Sequence, residues 1–237
     1  MSPILFIAFL GGVVPSLLWL AFWLFEDSVH PEPKKYLLLT FVLGMVAVWP
    51  VLKLEQWGAL YTDPAFLAGA AATPALLLCW AFTEELGKFA AGLLGGILWP
   101  VFDEPLDAVI YMVTAALGFS SMENTLFLFG SLQQGVIHGI ISGDLRFIGA
   151  TLLHTLSSAT IGVSLAFAYY KSIGTRRLFA ALGVILATAL HTLFNFFILG
   201  QGGDATFGIF FCIWLGIIAI LLAIESIKTP EKIYGTR

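Results

Sequence analysis

Charge is what this sequence has least of. Only 11% of its 237 residues are Asp, Glu, Lys or Arg, against 59% hydrophobic, and the mean hydropathy is +0.95. A soluble domain carries about 25% charged and 45–50% apolar residues. A soluble chain of this length could not hide so much apolar surface from water. The shortage of charge therefore excludes a soluble globular enzyme and a disordered chain. Basic residues are outnumbered, 11 to 15, for a net charge of −4, and no basic patch stands out, so no nucleic-acid partner is expected. Cysteine is nearly missing. Cys79 and Cys212 both lie in apolar runs and read as small buried hydrophobes, not as a disulfide framework. Also missing are an internal repeat, a low-complexity segment and the alternating ten-residue pattern of a membrane barrel.

Long apolar runs are what the sequence does have. A hydrocarbon core about 30 Å thick takes roughly 20 residues of helix to cross. Seven windows qualify, near 3–25, 36–53, 65–98, 105–130, 145–170, 178–199 and 205–226. The first lacks a basic n-region and is too long for a signal peptide, so it reads as a retained span. The third exceeds one crossing. It is expected to enter near Pro74 and run on as far as Pro100. The predicted fold is all-α: a polytopic membrane helix bundle of about seven transmembrane helices, forming one integral domain over 1–237. Lys34, Lys35, Lys171, Arg176, Arg177, Lys228, Lys232 and Arg237 fall on one face; Lys53 and Arg146 fall on the other. The positive-inside rule then puts the N-terminus outside and the C-terminus in the cytoplasm. The lipid bilayer is the first partner this reading implies.

Most charges fall in loops or at span ends. The polar residues left at membrane depth are Glu84, Glu85 and Lys88 in span three, Glu123 and Asn124 in span four, His154 in span five, and His191 and Asn195 in span six. A charge near the bilayer centre costs at least about 2.5–3.5 kcal/mol even on the permissive insertion scale, so helix packing alone does not explain four of them. Counting at 1.5 Å per residue, Glu84, Glu123, His154 and His191 all lie roughly 10–15 Å below the outer surface. Four helices thus bring carboxylates and imidazoles to one level. Glu84 and Lys88 are four apart and share a helix face, as do His191 and Asn195. Glu85 is rotated by about 100° from Glu84. Three Glu and one Lys sum to a charge that one divalent cation would cancel.

Two His and a carboxylate, with water in the fourth position, make the ligand set of a catalytic zinc. Zn2+ is the expected cofactor, held by His154, His191 and Glu85. A second carboxylate near that water serves as general base; between Glu84 and Glu85 the sequence does not choose. Asn195 is placed to steady a developing oxyanion. Other hydrolytic arrangements are missing. There is no His-Glu-x-x-His, the segment Gly162-Val163-Ser164-Leu165 has the wrong fourth residue for a rhomboid serine, and Asp204 has no second intramembrane Asp. Rival readings are a proton-coupled transporter using the same Glu and His as a relay, and a non-catalytic membrane scaffold. The transporter reading predicts an inverted repeat, which is not seen.

The ordered motifs resemble the PrsW family of intramembrane metalloproteases. They are Thr83-Glu84-Glu85-Leu86-Gly87-Lys88, Gly118-Phe119-Ser120-Ser121-Met122-Glu123-Asn124, the stretch from Arg146 to His154 with Gly162 following, and His191-Thr192-Leu193-Phe194-Asn195-Phe196. They span about 75–200, the expected catalytic core. The family is similar in layout to the CAAX prenyl protease group, so a CAAX-protease-like processing enzyme is a further alternative. The segment after His154, Thr-Leu-Ser-Ser-Ala-Thr, departs from the family's frequent small residue and Tyr. The resemblance implies a peptidase of the prokaryotic plasma membrane that cuts a membrane-anchored, anti-sigma-factor-like protein on its extracytoplasmic side. Carried over residue by residue, its functional set is Glu84, Glu85, His154 and His191, with Glu123 and Asn195 assisting and Lys88 and Asn124 in support.

Overall fold

The structure is a computed structural model that describes residues 2–26, 30–139, 149–200 and 206–228. No strand occurs among them. The helices are α1 (Pro3–Glu26), α2 (Lys34–Thr62), the single turn α3 (Pro64–Leu67), α4 (Pro74–Gly92), α5 (Pro105–Gln134), α6 (Thr151–Phe167), α7 (Ile173–Gly200) and α8 (Thr206–Lys228). The helix of α4 continues as one π-turn over Leu93–Ile97.

Local sequence sets several of these boundaries. Pro64, Pro74 and Pro105 each sit in a first turn, where a missing N–H costs nothing. Thr73 caps α4 by accepting from the Leu76 amide. Glu104 and Asp107 cap α5 reciprocally. The predicted second span stops at 53, but α2 runs on to Thr62. Nothing in 54–62 breaks a helix, and the stop signal is Asp63-Pro64. The extra turns carry Glu55 and Gln56 along the bundle.

α5 is the axle of the fold. Every residue from Leu106 to Ser121 is buried, as expected of a helix apolar on all sides. α1, α2 and α6 pack directly on it; α4 lies against α2 and α7, α6 against α7, and α8 against α6. Small residues allow the close approaches: a Cβ at Gly162 on α6 would lie 2.6 Å from Val109 Cα and 2.9 Å from the Ala108 carbonyl on α5.

Among the described residues, five helices are long and apolar enough to cross a membrane: α1, α2, α5, α7 and α8. Of the seven predicted spans, the other two correspond to α4 and α6. α4 bears three charges within its 19 residues, and α6 has only 17. These are also two of the helices that carry the polar cluster, and their place in the bundle comes from their neighbours.

Candidate active site

Glu84, Glu85 and Lys88 from α4, Glu123 from α5, His154 from α6 and His191 from α7 meet in one buried cluster. Glu85 and Lys88 are fully buried, and Glu84, His154 and His191 nearly so. Each imidazole is held at one nitrogen by a different carboxylate. Glu123 Oε2 lies 2.9 Å from Nε2 of His154, and Glu85 Oε1 lies 2.8 Å from Nδ1 of His191. A carboxylate only accepts, so those two nitrogens carry the protons. The opposite nitrogens, His154 Nδ1 and His191 Nε2, turn to a common point. They lie 3.7 and 3.8 Å from Glu84 Oε2, a buried oxygen with no hydrogen-bond partner among the described residues.

Glu85 Oε1 accepts three donors at once: Lys88 Nζ at 2.6 Å, His191 Nδ1 at 2.8 Å and Ser157 Oγ at 2.9 Å. The predicted i,i+4 pairing of Lys88 with Glu84 is the looser contact, at 3.8 Å. Three donors converge on Glu85, and Lys88 follows them. Lys88 Nζ also donates to His154 Nδ1 at 2.8 Å and sits over the Phe119 ring at 5.2 Å. Asn124 Nδ2 donates to Thr151 Oγ1 at 2.9 Å and to Ser120 Oγ at 3.3 Å. It thereby ties α5 to α6 beside the Glu123–His154 pair.

The cluster opens into a cavity of about 660 Å³. Glu84, Glu123, His154, His191 and Asn195 line it, together with Phe194, Trp80 and Glu55 of α2. Glu85 does not reach it. Glu55 is absent from the predicted site because its turn was assigned to a loop. The uninterrupted helix up to Asp63-Pro64 was the signal for it. Arg146 and Asp204 lie outside the described residues.

The donor set has the composition of a metal site. Glu84, His154 and His191 offer three ligand atoms within 4.8 Å of one another. A tetrahedral zinc with bonds of about 2 Å would hold them about 3.3 Å apart, so Glu84 Oε2 must close by about 0.5 Å on each imidazole nitrogen and the widest gap of the set by up to about 1.5 Å. The two carboxylate–imidazole pairs supply the outer support that metal-binding histidines use. The predicted third ligand was Glu85. The carboxylate that stands with the two imidazoles is Glu84, because Glu85 is turned to Lys88 and Ser157. The donors fit once Lys88 leaves His154 Nδ1 for Glu85, to which it is already bonded.

Acids and imidazoles converging on an internal cavity of a polytopic helical membrane protein suit the class of intramembrane hydrolases. Within that class, the chain belongs to the PrsW family of intramembrane metalloproteases, which its sequence matches over residues 32–224. It is similar to Protease PrsW of Bacillus subtilis (25% identity, 78% of this chain and 80% of the relative). It is also similar to Protease PrsW of Geobacillus kaustophilus (26%, 81% and 79%) and of Shouchella clausii (24%, 94% and 96%). No solved structure matches it. The chain is thus a membrane-embedded protease of the bacterial plasma membrane, acting on protein.

Proposed function

We propose that the chain is a metal-dependent endopeptidase that cuts a membrane-anchored, anti-sigma-factor-like protein near the extracytoplasmic surface, using a glutamate-activated water. It acts as one integral domain, with the N-terminus outside and the C-terminus cytoplasmic. The observation that carries this reading is the orphan Oε2 of Glu84, faced by two imidazoles whose far nitrogens are each fixed by a carboxylate.

In this reading Glu84, His154 and His191 hold the ion, zinc by its ligand chemistry. When bound, the ion makes its water a good nucleophile near neutral pH. Glu85 orients His191 and anchors Lys88. Glu123 fixes the tautomer of His154 and, as a carboxylate on the cavity wall, takes the proton the water releases. Asn195 donates to the oxyanion that develops on the scissile carbonyl. The apolar cavity walls keep bulk water away from these charges.

One observation favours a second reading. Lys88 Nζ already places a positive charge 2.8 Å from His154 Nδ1 and 3.8 Å from Glu84 Oε2. In that arrangement no ion is needed, and Glu84 itself takes the proton from water. The deciding experiment reconstitutes the chain in vesicles with a tagged single-span anti-sigma-factor reporter, and measures cleavage and zinc content together. Wild type is expected to cleave and carry zinc; H154A and H191A are expected to lose both, and E84Q to lose cleavage. Cleavage by a zinc-free wild type establishes the second reading. Undiminished cleavage by E84Q overturns both.

A further inference from the structure

A second space, of about 570 Å³, lies between α7 and α8 over α6. Leu153 of α6 and Phe194 of α7 line both it and the catalytic cavity, so one layer of side chains separates the two. That layer adjoins the chemistry. Leu153 precedes His154 directly, and Phe194 lies one turn beyond His191. Phe210 of α8 also lines the catalytic cavity. It converges with Phe194 over Gly149, where a Cβ would lie 2.9 Å from Phe210 Cε1 and 3.5 Å from Phe194 Cζ. Two aromatic rings, which can turn without moving a helix, therefore stand between α7 and α8 at the edge of the site.

The second space is a groove with a buried floor and an exposed rim. Leu156 and Ile213 are buried at its base; Leu193 and Phe197 on α7, and Gly208 and Cys212 on α8, are exposed along its edges. Each of those two pairs is spaced i,i+4, so both walls run along their helices, about 6 Å per step. Gly208 has open space where a Cβ would go, which lets another backbone approach closely. Among the described residues α7 and α8 touch sparsely, whereas α6 packs on α5 and α7, and α4 on α2 and α7. The ring of helices around the site is thus least closed against lipid at this groove. An apolar groove of this form suits an apolar helix, since a chain in hydrocarbon must satisfy its own backbone. A lipid tail would match the lining too, but it has nothing to deliver past the rings. A membrane-anchored protein has its scissile segment to bring there.

We propose that the groove between α7 and α8 docks the transmembrane span of the protein substrate, and that the chain just beyond the outer end of that span passes Phe194 and Phe210 into the catalytic cavity. The inference rests on the reading of a membrane-anchored substrate cut near the extracytoplasmic surface. In that topology the end of α7 and the start of α8, which form the groove, are their outer ends. The docked span therefore brings its outer end to the level of His154 and His191.

Cys212 on the rim and half-buried Cys79 on α4 are the two cysteines of the chain, so C79A leaves one native thiol, in the groove. In E84Q/C79A, which holds the reporter uncut, a short bismaleimide is expected to join Cys212 to cysteines walked along the outer half of the reporter's span. Adducts are expected about every three to four positions, the period of a docked helix, and none in C212S. G208F fills the groove from a position with open space, and melting in detergent checks that it folds. The ratio of kcat/KM on the single-span reporter to kcat/KM on a soluble peptide of the segment wild type cuts is expected to fall roughly 10-fold in G208F. An unchanged ratio, or adducts at no position, overturns the proposal and leaves the groove to lipid. If wild type cuts no reporter, the proposed function fails, and cross-linking alone decides the groove: periodic adducts support it, and their absence overturns it.

Discussion

Nδ1 of His191 lies 2.8 Å from Oε1 of Glu85, an oxygen that also accepts from Lys88 and Ser157. One fully buried carboxylate thus sets the tautomer of a site imidazole and neutralises a buried ammonium. The two tasks are separable. E85Q is expected to slow cleavage roughly 10–100-fold through loss of outer support. It is also expected to lower stability, because removing one member of a buried ion pair costs about 3–5 kcal/mol. Replacing both members with neutral groups relieves that penalty, so E85Q/K88M is expected to recover its melting temperature but not its activity. Melting curves and reporter cleavage on the three proteins check this. Recovery of activity along with stability would reduce Glu85 to a partner of Lys88.

The approach of α6 to α5 is set at Gly162, eight residues beyond His154. The Gly162 hydrogen that a Cβ would replace faces the Val109 Cα and the Ala108 carbonyl, backbone atoms that cannot swing aside. G162A is expected to destabilise by about 1–3 kcal/mol, the usual range for overpacking, and to reduce cleavage by shifting His154 against Glu123. Gly130 on α5 has open space where a Cβ would go, so G130A is the matched control and is expected to melt like wild type. Equal melting of the two variants would contradict this packing.

The cluster was legible in the sequence because charge in an apolar run is costly, and the few exceptions could be aligned by depth. Glu84, Glu123, His154 and His191 were assigned to one level by counting residues, and their side chains meet. The facing of the glutamate pair was not legible. Glu84 and Glu85 differ by one helical step, and which of them meets the cavity depends on how α4 rolls against α2 and α7. Glu55 was hidden by its polar neighbours Lys53 and Gln56, which imitate a span end. Tyr111 is fully buried and donates to Glu32, a pairing across 79 positions that no local pattern announces.

Asp63 gives a pH-dependent effect remote from the site. It closes α2, accepts from the Phe66 amide at 3.3 Å and from the Thr73 amide at 2.9 Å, and so ties the end of α2 to the start of α4. The Thr73 amide, foremost, holds its carboxyl below the ordinary aspartate value of 3.8. A depressed folded value means the contribution is fully present above about pH 3.8 and is lost as pH falls through the lower folded value. The melting difference between wild type and D63N is therefore expected to be constant from about pH 7 to about pH 5 and to shrink below about pH 3.8. A difference that grows with acid would reverse the sign and exclude Asp63 as the tie.

Asn195 follows His191 by four residues on α7, so the two share a helix face, and both line the cavity. The glutamates at this wall can only accept a hydrogen bond once ionised, and both imidazoles are engaged at one nitrogen by carboxylates. The Asn195 carboxamide, beside the imidazoles, is a neutral donor for a carbonyl oxygen gaining negative charge. Removing one such donor from an oxyanion site costs about 10²–10³ in kcat. N195A is expected to lose activity on that scale with KM nearly unchanged, since the donor is needed more by the transition state than by the bound substrate. N195D keeps the shape but presents an acceptor, and is expected to be at least as slow. Steady-state kinetics on the single-span reporter separate the two parameters. A rise in KM with kcat preserved would make Asn195 a substrate-binding group instead.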